Sequence, residues 1–183
     1  MSLSSFVRRS PVRTLVLLVA VVAATMAAAR GRAAPDEPDE PGAAVVERVV
    51  DGDTLRVRLG GRREAVRLIG IDTPESVKPR TPVQCFAKEA AARLAALVPP
   101  GAKVRVERDV EARDHFGRLL GYVYRRSDGL FVNLALAQEG YANVATFPPN
   151  VAHTARVVAA VADARAAGRG LWSACPAPAR SPP

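Results

Sequence analysis

The sequence predicts a small domain of the α+β class, in which short β-strands alternate with inserted helices. Five segments carry the apolar alternation or the compact apolar run of half-buried strands. The dipeptides Asp51-Gly52 and Gly60-Gly61 are turn signals that separate the first three of these segments. Five short strands with about three helices between them favour a small closed β-barrel of the OB type.

The strands follow from local patterns. Between the two turn signals, Leu55, Val57 and Leu59 occupy one face of an extended segment, and arginines occupy the other. The five predicted strands are the segment before Asp51, the segment 55–59, Glu64 to Ile71, 103–110, and Arg118 to Tyr124.

Three helices are predicted by spacing and by their stop signals. Cys85 to Val98 places Phe86, Ala90, Leu94 and Leu97 on one stripe, and Pro99 ends it. A short helix spans Val132 to Glu139 before Gly140, and an alanine-rich helix spans Val151 to Ala167 before Gly168.

The N-terminus has the pattern of a secretory signal peptide. Five arginines and no acid occur in the first 34 residues, and an apolar run spans residues 14–29. We expect a signal peptide over 1–29, with cleavage near Ala29 or as late as Ala34. The alternative is an uncleaved N-terminal anchor, although the run is shorter than the roughly 20 residues of a comfortable span. After cleavage no stable membrane association is expected, so the protein is predicted to be secreted or extracytoplasmic.

The rest of the chain divides into a linker, a domain and a tail. Residues 30–43 form a linker rich in proline and acid, 44–175 form the folded domain, and 176–183 form a Pro-rich tail. From Ala44 onward the chain has 21 Lys and Arg against 14 Asp and Glu, a net charge of 21 − 14 = +7. A basic domain favours polyanionic partners, nucleic acid or an anionic membrane.

Two cysteines, Cys85 and Cys175, are the whole complement. In an exported protein an even number favours a disulfide, which would tie the start of a helix to the C-terminal tail. The alternative is two unrelated small apolar residues. Neither has a Cys-x-x-Cys neighbour, which argues against a metal cluster.

Two acidic segments raise the question of a metal site. Asp51-Gly52 alone indicates a hairpin turn, and Glu75 alone could be an acid at a helix start. Neither reading explains Asp53 in one segment together with Asp72 in the other. Carboxylates, a carbonyl and water suit a hard cation such as Ca²⁺. Histidine is scarce, with only His115 and His153, which argues against zinc.

Two arginines complete a set suited to phosphodiester hydrolysis. Arg67 lies within a predicted strand and Arg118 opens another; taken singly, either could be a solvated surface residue. Together with a metal they could neutralise the charge that develops on phosphoryl oxygens, while a carboxylate positions or deprotonates water.

Four segments together resemble the thermonuclease family, whose type member is staphylococcal nuclease. They are VVDGDTLRV, VRLIGIDTPE, RDHFGRLLGYVY and GRGLWSACP, and the resemblance spans about Val45 to Cys175. It implies an OB-fold barrel and Ca²⁺-dependent hydrolysis of DNA and RNA to 3′-phosphate products. No protein partner is implied, and a monomer is expected.

The resemblance assigns roles by position. It implies Ca²⁺ ligation by Asp53, Asp72 and the backbone carbonyl of Thr73, with Asp51 as an outer carboxylate. Glu75 matches the proposed general base, and Arg67 and Arg118 match the phosphate-binding arginines.

Two departures concern binding of the nucleotide end. The type member has lysine and tyrosine where this chain has His115 and Phe116, and phenylalanine donates no hydroxyl hydrogen bond. The segment 143–150 offers Thr146 and Phe147 in place of base-contacting tyrosines.

Strict alternation also places Arg67 and Asp72 on opposite faces of one strand. They can converge only if the chain bends between them, and Gly70 is the expected place.

Two functions therefore follow from the sequence: an exported nuclease, or a catalytically silent barrel that binds nucleic acid by charge and stacking. The complete set of carboxylates and arginines favours the nuclease, and the low aromatic content argues against a stacking platform.

Overall fold

A computed structural model describes residues 41–76 and 82–176 of the chain. The predicted signal peptide (1–29), most of the linker (30–43), most of the tail (176–183) and residues 77–81 of the loop before the first helix lie outside these residues. No helix in the described ranges combines the length and apolar character needed to cross a membrane.

The strands and helices alternate along the chain as an α+β domain. The strands are β1 (Ala43–Asp51), β2 (Thr54–Leu59), β3 (Arg62–Leu68), β4 (Gly70–Asp72), β5 (Lys103–Glu107), β6 (Leu119–Arg125) and β7 (Asn143–Ala145). The helices are α1 (Ala87–Leu97), α2 (Val132–Gln138), α3 (Thr154–Ala166) and α4 (Leu171–Ala174).

The predicted five-stranded barrel is confirmed. Its strands close in the order β1-β2-β3-β6-β5, with β3 and β6 parallel and the other described pairings antiparallel. The barrel interior is apolar because each strand alternates; Leu55 and Val57 of β2 are fully buried, while Arg56 and Arg58 face solvent.

The first hairpin is shifted by one residue from the prediction. Asp51 still belongs to β1 and pairs with Thr54, so Gly52 and Asp53 are the two loop residues rather than Asp51 and Gly52. The second hairpin is as predicted: Gly60 and Gly61 connect β2 to β3, and both have positive φ angles (54° and 76°), which glycine adopts without a Cβ clash.

The third predicted strand is two strands in different sheets. β3 ends at Leu68, and Gly70, with φ +82°, opens β4, which pairs with β7 outside the barrel. The side chain of the buried Asn133 fixes this break, because its amide nitrogen donates to the carbonyl of Ile69 (2.9 Å). The bend expected at Gly70 is therefore present, and it allows Arg67 and Asp72, which strict alternation would place on opposite faces, to lie on the same side.

The three predicted helices are present; α2 begins at Val132 as predicted, whereas α1 and α3 begin two and three residues later than predicted. Phe86 adopts a left-handed conformation (φ 69°), so α1 begins at Ala87. The backbone N–H of Ala152 donates to Asp109 (2.9 Å) instead of continuing a helix, and α3 begins at Thr154. The short α4 was not predicted, since four residues carry no readable period.

Cys85 and Cys175 form a disulfide with a Cα–Cα distance of 5.9 Å. The bridge joins the residue two positions before α1 to the residue that follows α4, as the sequence predicts. The bridge thus ties the C-terminal end of the described domain to the segment before α1, across a separation of 90 residues.

Candidate active site

A cleft of about 660 Å³ lies at the end of the barrel where β2, β3 and β4 meet. All the predicted site residues except His115 line it: Asp51, Asp53, Arg67, Asp72, Thr73, Glu75, Phe116 and Arg118. The lining also includes Arg56, Arg63, Glu64 and Gln84, which were not predicted.

Asp53 is positioned by the hairpin that carries it. The tip of the hairpin is pressed against α1 and against Thr73: a Cβ on Gly52 would lie 2.8 Å from the Cβ of Ala90 and 2.6 Å from the hydroxyl oxygen of Thr73. Only glycine fits there, and the following side chain, Asp53, is directed into the cleft, where it is 10% exposed.

Three hydroxyl and amide donors hold the carboxylate of Asp53. The hydroxyl of Thr54 donates to Oδ1 (3.0 Å). The backbone N–H and the hydroxyl of Thr73 both donate to Oδ2, at 3.1 and 3.0 Å. These bonds hold the ionised carboxylate in one orientation. Thr73 therefore orients Asp53, a role the sequence did not reveal.

Arg67 connects Asp53 to Asp72. Its Nη1 forms an ion pair with Oδ2 of Asp53, and its Nη2 donates to Oδ1 of Asp72 at 2.9 Å. The Arg67 and Asp53 side chains are 15% and 10% exposed, whereas Asp72 is 63% exposed. A carboxylate from the β1–β2 loop and a carboxylate from β4 thus converge on one positive charge.

The environment of Arg67 acts on its protonation in opposing ways. Burial lowers the pKa of the guanidinium, the charge of Asp72 opposes this, and the neighbouring positive charge of Arg118 lowers the pKa further. A guanidinium keeps its proton in proteins, so Arg67 is the cation of the ion pairs with Asp53 and Asp72. Removing a carboxylate partner of this buried guanidinium would leave its charge uncompensated and would destabilise the folded protein.

The segment after β4 carries Glu75 to the rim of the cleft. Its main chain is held by Gln84 on the far side of the loop: the N–H of Glu75 donates to Oε1 of Gln84 (2.7 Å), and the N–H of Gln84 donates to the carbonyl of Glu75 (3.0 Å). The hydroxyl of Ser76 donates to Asp51 (2.6 Å), which ties the same segment to the end of β1. Asp51 is thereby engaged in structural bonds.

Arg118 is held by a tight loop before β6. Asp114 accepts from the Nε of Arg118 (2.7 Å), from its backbone N–H (2.9 Å) and from the N–H of Phe116 (3.0 Å). Burial acts to raise the pKa of Asp114, but these hydrogen bonds and the charge of Arg118 outweigh it, so the pKa is lowered. The result is a fixed Arg118 whose guanidinium lies 5.4 Å from the ring centroid of the exposed Phe116.

His115 and Phe116 are both exposed, and of the two Phe116 lines the cleft. Their rings are 3.7 Å apart, centroid to centroid, and Phe116 is 72% exposed at the mouth of the cleft. The position suits contact with a substrate group outside the recessed centre.

A second arginine fixes this loop to the barrel. Arg113 pairs with Glu64 of β3 through both guanidinium nitrogens (3.0 and 2.9 Å) and donates to the carbonyl of Gly117 (2.7 Å). The hydrogen bond from Arg113 is the main reason that the pKa of Glu64 is lowered. Glu64 and Arg113 are visible in the sequence as oppositely charged residues, but no local pattern there indicates that they form an ion pair.

The cleft offers a small set of oxygen ligands, which suits a hard cation. Within residues 41–76 and 82–176, no three His, Cys, Asp or Glu side chains cluster as a metal site. Asp53 and Asp72 do share one cationic partner, and oxygen atoms are the donors on offer. Such a pair, with a backbone carbonyl and water, is a ligand set that Ca²⁺ accepts.

Comparison with known proteins places these features in a family. The family model described as Staphylococcal nuclease homologue matches residues 65–174. A thermonuclease of Staphylococcus intermedius is 41% identical over 128 residues, covering 70% of this chain and 74% of the relative. A thermonuclease of Staphylococcus hyicus is 39% identical with the same coverage, and the endonuclease YncB of Bacillus subtilis is 37% identical over 130 residues, 70% of this chain and 60% of that protein.

Proposed function

The chain belongs to the staphylococcal nuclease family and is a nuclease, and we propose that it hydrolyses DNA and RNA phosphodiester bonds in the cleft, with Ca²⁺. The observation that carries the proposal is the convergence of Asp53 and Asp72 on Arg67. Glu75 and Arg118 line the same cleft, so acid, base and phosphate-binding groups surround one site.

Asp53, Asp72 and the backbone carbonyl of Thr73 are the groups that would hold the cation. Asp53 is already oriented by Thr73 and Thr54, so little rearrangement is required of it. When bound, Ca²⁺ supplies positive charge that polarises the phosphoryl group and lowers the barrier to attack by water. Asp51, whose carboxylate accepts a hydrogen bond from Ser76, contributes negative charge nearby.

Arg67 and Arg118 are the phosphate-binding residues of the proposal. A guanidinium binds two phosphoryl oxygens at once and stays charged, so it stabilises the charge that builds up during attack. Arg118 is held in a fixed orientation by Asp114. Arg67 is held by the two carboxylates, and it becomes available to a phosphate when another cation neutralises them.

Glu75 is the proposed general base. It lies on the wall of the cleft, on a segment whose main chain Gln84 fixes from both sides. A carboxylate in that place can orient water towards a phosphate bound at the arginines and accept its proton. His115 and Phe116 are proposed to contact the nucleotide end, and 3′-phosphate products are expected.

The proposal includes export. The N-terminal segment of the sequence has the charge and apolar pattern of a secretory signal. The Cys85–Cys175 disulfide supports an oxidising compartment, because such bridges persist outside the cytosol. A monomer is proposed as the working form.

The test is a digestion assay on plasmid DNA and on RNA, with Ca²⁺ and with a chelator. We expect cutting only with Ca²⁺, and a fall in rate of about 10² to 10⁴ for Glu75→Gln. Glu89→Gln is the matched control, because Glu89 is an exposed acid on α1 outside the cleft lining.

Each component has its own contradicting outcome. Cutting that survives the chelator would exclude the metal role, and an active Glu75→Gln would exclude the base. A protein that binds both nucleic acids and cuts neither would be the silent binding barrel. The predicted 3′-phosphate ends are measured by treating the products with a 3′-phosphatase, which should release inorganic phosphate from them.

A further inference from the structure

Two arginines next to the cleft face the same side of the barrel as Arg67. Arg67 of β3 pairs with Thr54 of β2, and Arg56 lies two residues further along β2. Side chains two residues apart in a strand share a face and lie about 7 Å apart. Arg56 in turn pairs directly with Arg48 of β1, and both are exposed. The three arginines thus step across β3, β2 and β1.

The Arg56–Arg48 pair is unfavourable for the fold. Like charges directly opposite one another in neighbouring strands destabilise a sheet. No carboxylate within the described ranges forms an ion pair with either residue, and the β3 neighbour of Arg56 is the small Ala65.

The next cross-strand pair on the same face is treated differently. Arg58 and Arg63 are also directly opposite. Both donate to the carboxylate of Glu47, at 2.9 and 3.2 Å, so their charges are compensated within the protein. The positive charges of Arg56 and Arg48, the pair nearer to Arg67, have no such carboxylate partner among the described residues. That pair is therefore available to an external anion.

We propose that Arg56 and Arg48 extend the cleft as a phosphate-binding track, which binds successive phosphates of one polynucleotide strand beyond the phosphate held at Arg67 and Arg118. Arg56 lines the same cleft as the catalytic groups, so the path from one to the other is continuous. The inference rests on the proposed function, because it takes the bound polyanion to be the nucleic acid substrate. It predicts that long strands are bound better than dinucleotides.

Arg67 and Arg56 are diagonal neighbours on adjacent strands, about 7–8 Å apart, and Arg56 and Arg48 are directly opposite, about 5 Å apart. A basic groove of this kind binds the backbone of a single strand without reading its sequence. The centre of the site is recessed, with Asp53 and Arg67 mostly buried, and one unpaired strand can enter it.

Binding is measured with fluorescent single-stranded oligodeoxynucleotides, a dinucleotide and a longer strand, over a series of salt concentrations. All proteins carry Glu75→Gln, and a gel run afterwards checks that the strand is intact. The variants are Arg48→Gln/Arg56→Gln and the control Arg62→Gln. Arg62 is an exposed arginine on the same hairpin that does not line the cleft.

For the long strand we expect the double variant to lower the slope of log affinity against log salt by about 0.7 for each arginine lost. The gain in affinity between dinucleotide and long strand should fall about tenfold. Arg62→Gln should keep the parent slope. The double variant should melt at or above the parent temperature, because a repulsion has been removed.

Equal slopes and equal length dependence for the double variant and Arg62→Gln would overturn the track. This outcome is separate from failure of the proposed function. A wild-type protein that binds the long strand through Arg56 but cuts nothing would retain the track and lose the nuclease, whereas an active nuclease with no length dependence would lose only the track.

Discussion

Arg67 and Asp53 form an ion pair in which both side chains are mostly buried, and Asp72 shares the same guanidinium. Arg67 therefore occupies the site, favourable for a cation, that the two negatively charged carboxylates create. A cation that binds these carboxylates competes with Arg67 for them. The competition links metal binding, stability and substrate binding in a way that can be measured.

Arg67→Gln should increase the stabilisation that Ca²⁺ provides. Removing one partner of a buried pair leaves Asp53 uncompensated, at a cost of about 3–5 kcal/mol. Ca²⁺ should then restore much of this free energy of unfolding, because no guanidinium competes for the carboxylates. Thermal melts with Ca²⁺ and with chelator measure the shift, and we expect it to be larger in the variant than in the wild type. A smaller shift would contradict the competition.

Arg113→Gln should reduce activity without unfolding the protein. Arg113 ties the loop of Arg118 to Glu64 and to the carbonyl of Gly117, so its loss lets Arg118 move away from its catalytic position. We expect kcat to fall about tenfold, since misplacement by a fraction of an ångström is enough for this. Steady-state kinetics and a thermal melt give the two readouts.

The control for this variant is Arg105→Gln. Arg105 makes a comparable ion pair with Glu107, at 2.6 Å, and neither residue lines the catalytic cleft. Both substitutions should change the free energy of unfolding by about 1 kcal/mol or less. Equal kinetics for the two variants would show that Arg113 has no positioning role.

Asp114 should contribute to stability only above the acid range. Its pKa is lowered in the folded protein from an ordinary value of 3.8, because the hydrogen bonds with Arg118 and Phe116 outweigh burial. A lowered folded pKa gives stability that is complete above the unfolded pKa and is lost as the pH falls through the folded one. Asp114→Asn should therefore be less stable than wild type near neutrality, and the difference should shrink as the pH falls below about 3.8.

Urea unfolding at a series of pH values between about 5 and about 2.5 tests this sign. A difference between the wild type and Asp114→Asn that grows on acidification would contradict it. Activity of Asp114→Asn at neutral pH reports separately on the orientation of Arg118.

Loss of the disulfide should lower the free energy of unfolding strongly. Cys85 and Cys175 close a loop with a sequence separation of 90 residues, for which the chain-entropy model gives about 4.6 kcal/mol. Cys85→Ser/Cys175→Ser should melt at a lower temperature, while the reaction at low temperature continues, since neither cysteine lines the cleft. Reduction of the wild type with a thiol reagent should reproduce the effect, and two reactive thiols without reduction would contradict the bridge.

The barrel could be predicted because its strands alternate and its turns have strong residue signals. Leu55, Val57 and the Gly60-Gly61 turn each indicate the same hairpin. The pairing of β4 with β7 could not be predicted, since three-residue strands have no measurable period. The one-residue shift at Asp51 depends on its pairing with Thr54, which only the folded hairpin defines.

Part of the cleft lining could also be predicted, because Asp53, Asp72, Arg67 and Arg118 have residue types suited to phosphate chemistry. The residues that support them could not. Gln84 contacts Glu75 across a loop, and Arg113 contacts Glu64 from a segment 49 positions away. Contacts of this kind arise from the path of the chain, so no local pattern indicates them.

The close packing around Gly52 constrains the order in which substitutions can accumulate in this protein. A methyl group at position 52 would collide with both Thr73 and Ala90, at 2.6 and 2.8 Å. Smaller residues at both neighbours would have to come first, yet Thr73 is also the residue that orients Asp53. Gly52→Ala is thus coupled by epistasis to substitutions that disturb the carboxylate, and mutational paths through position 52 pass through forms with a weakened site.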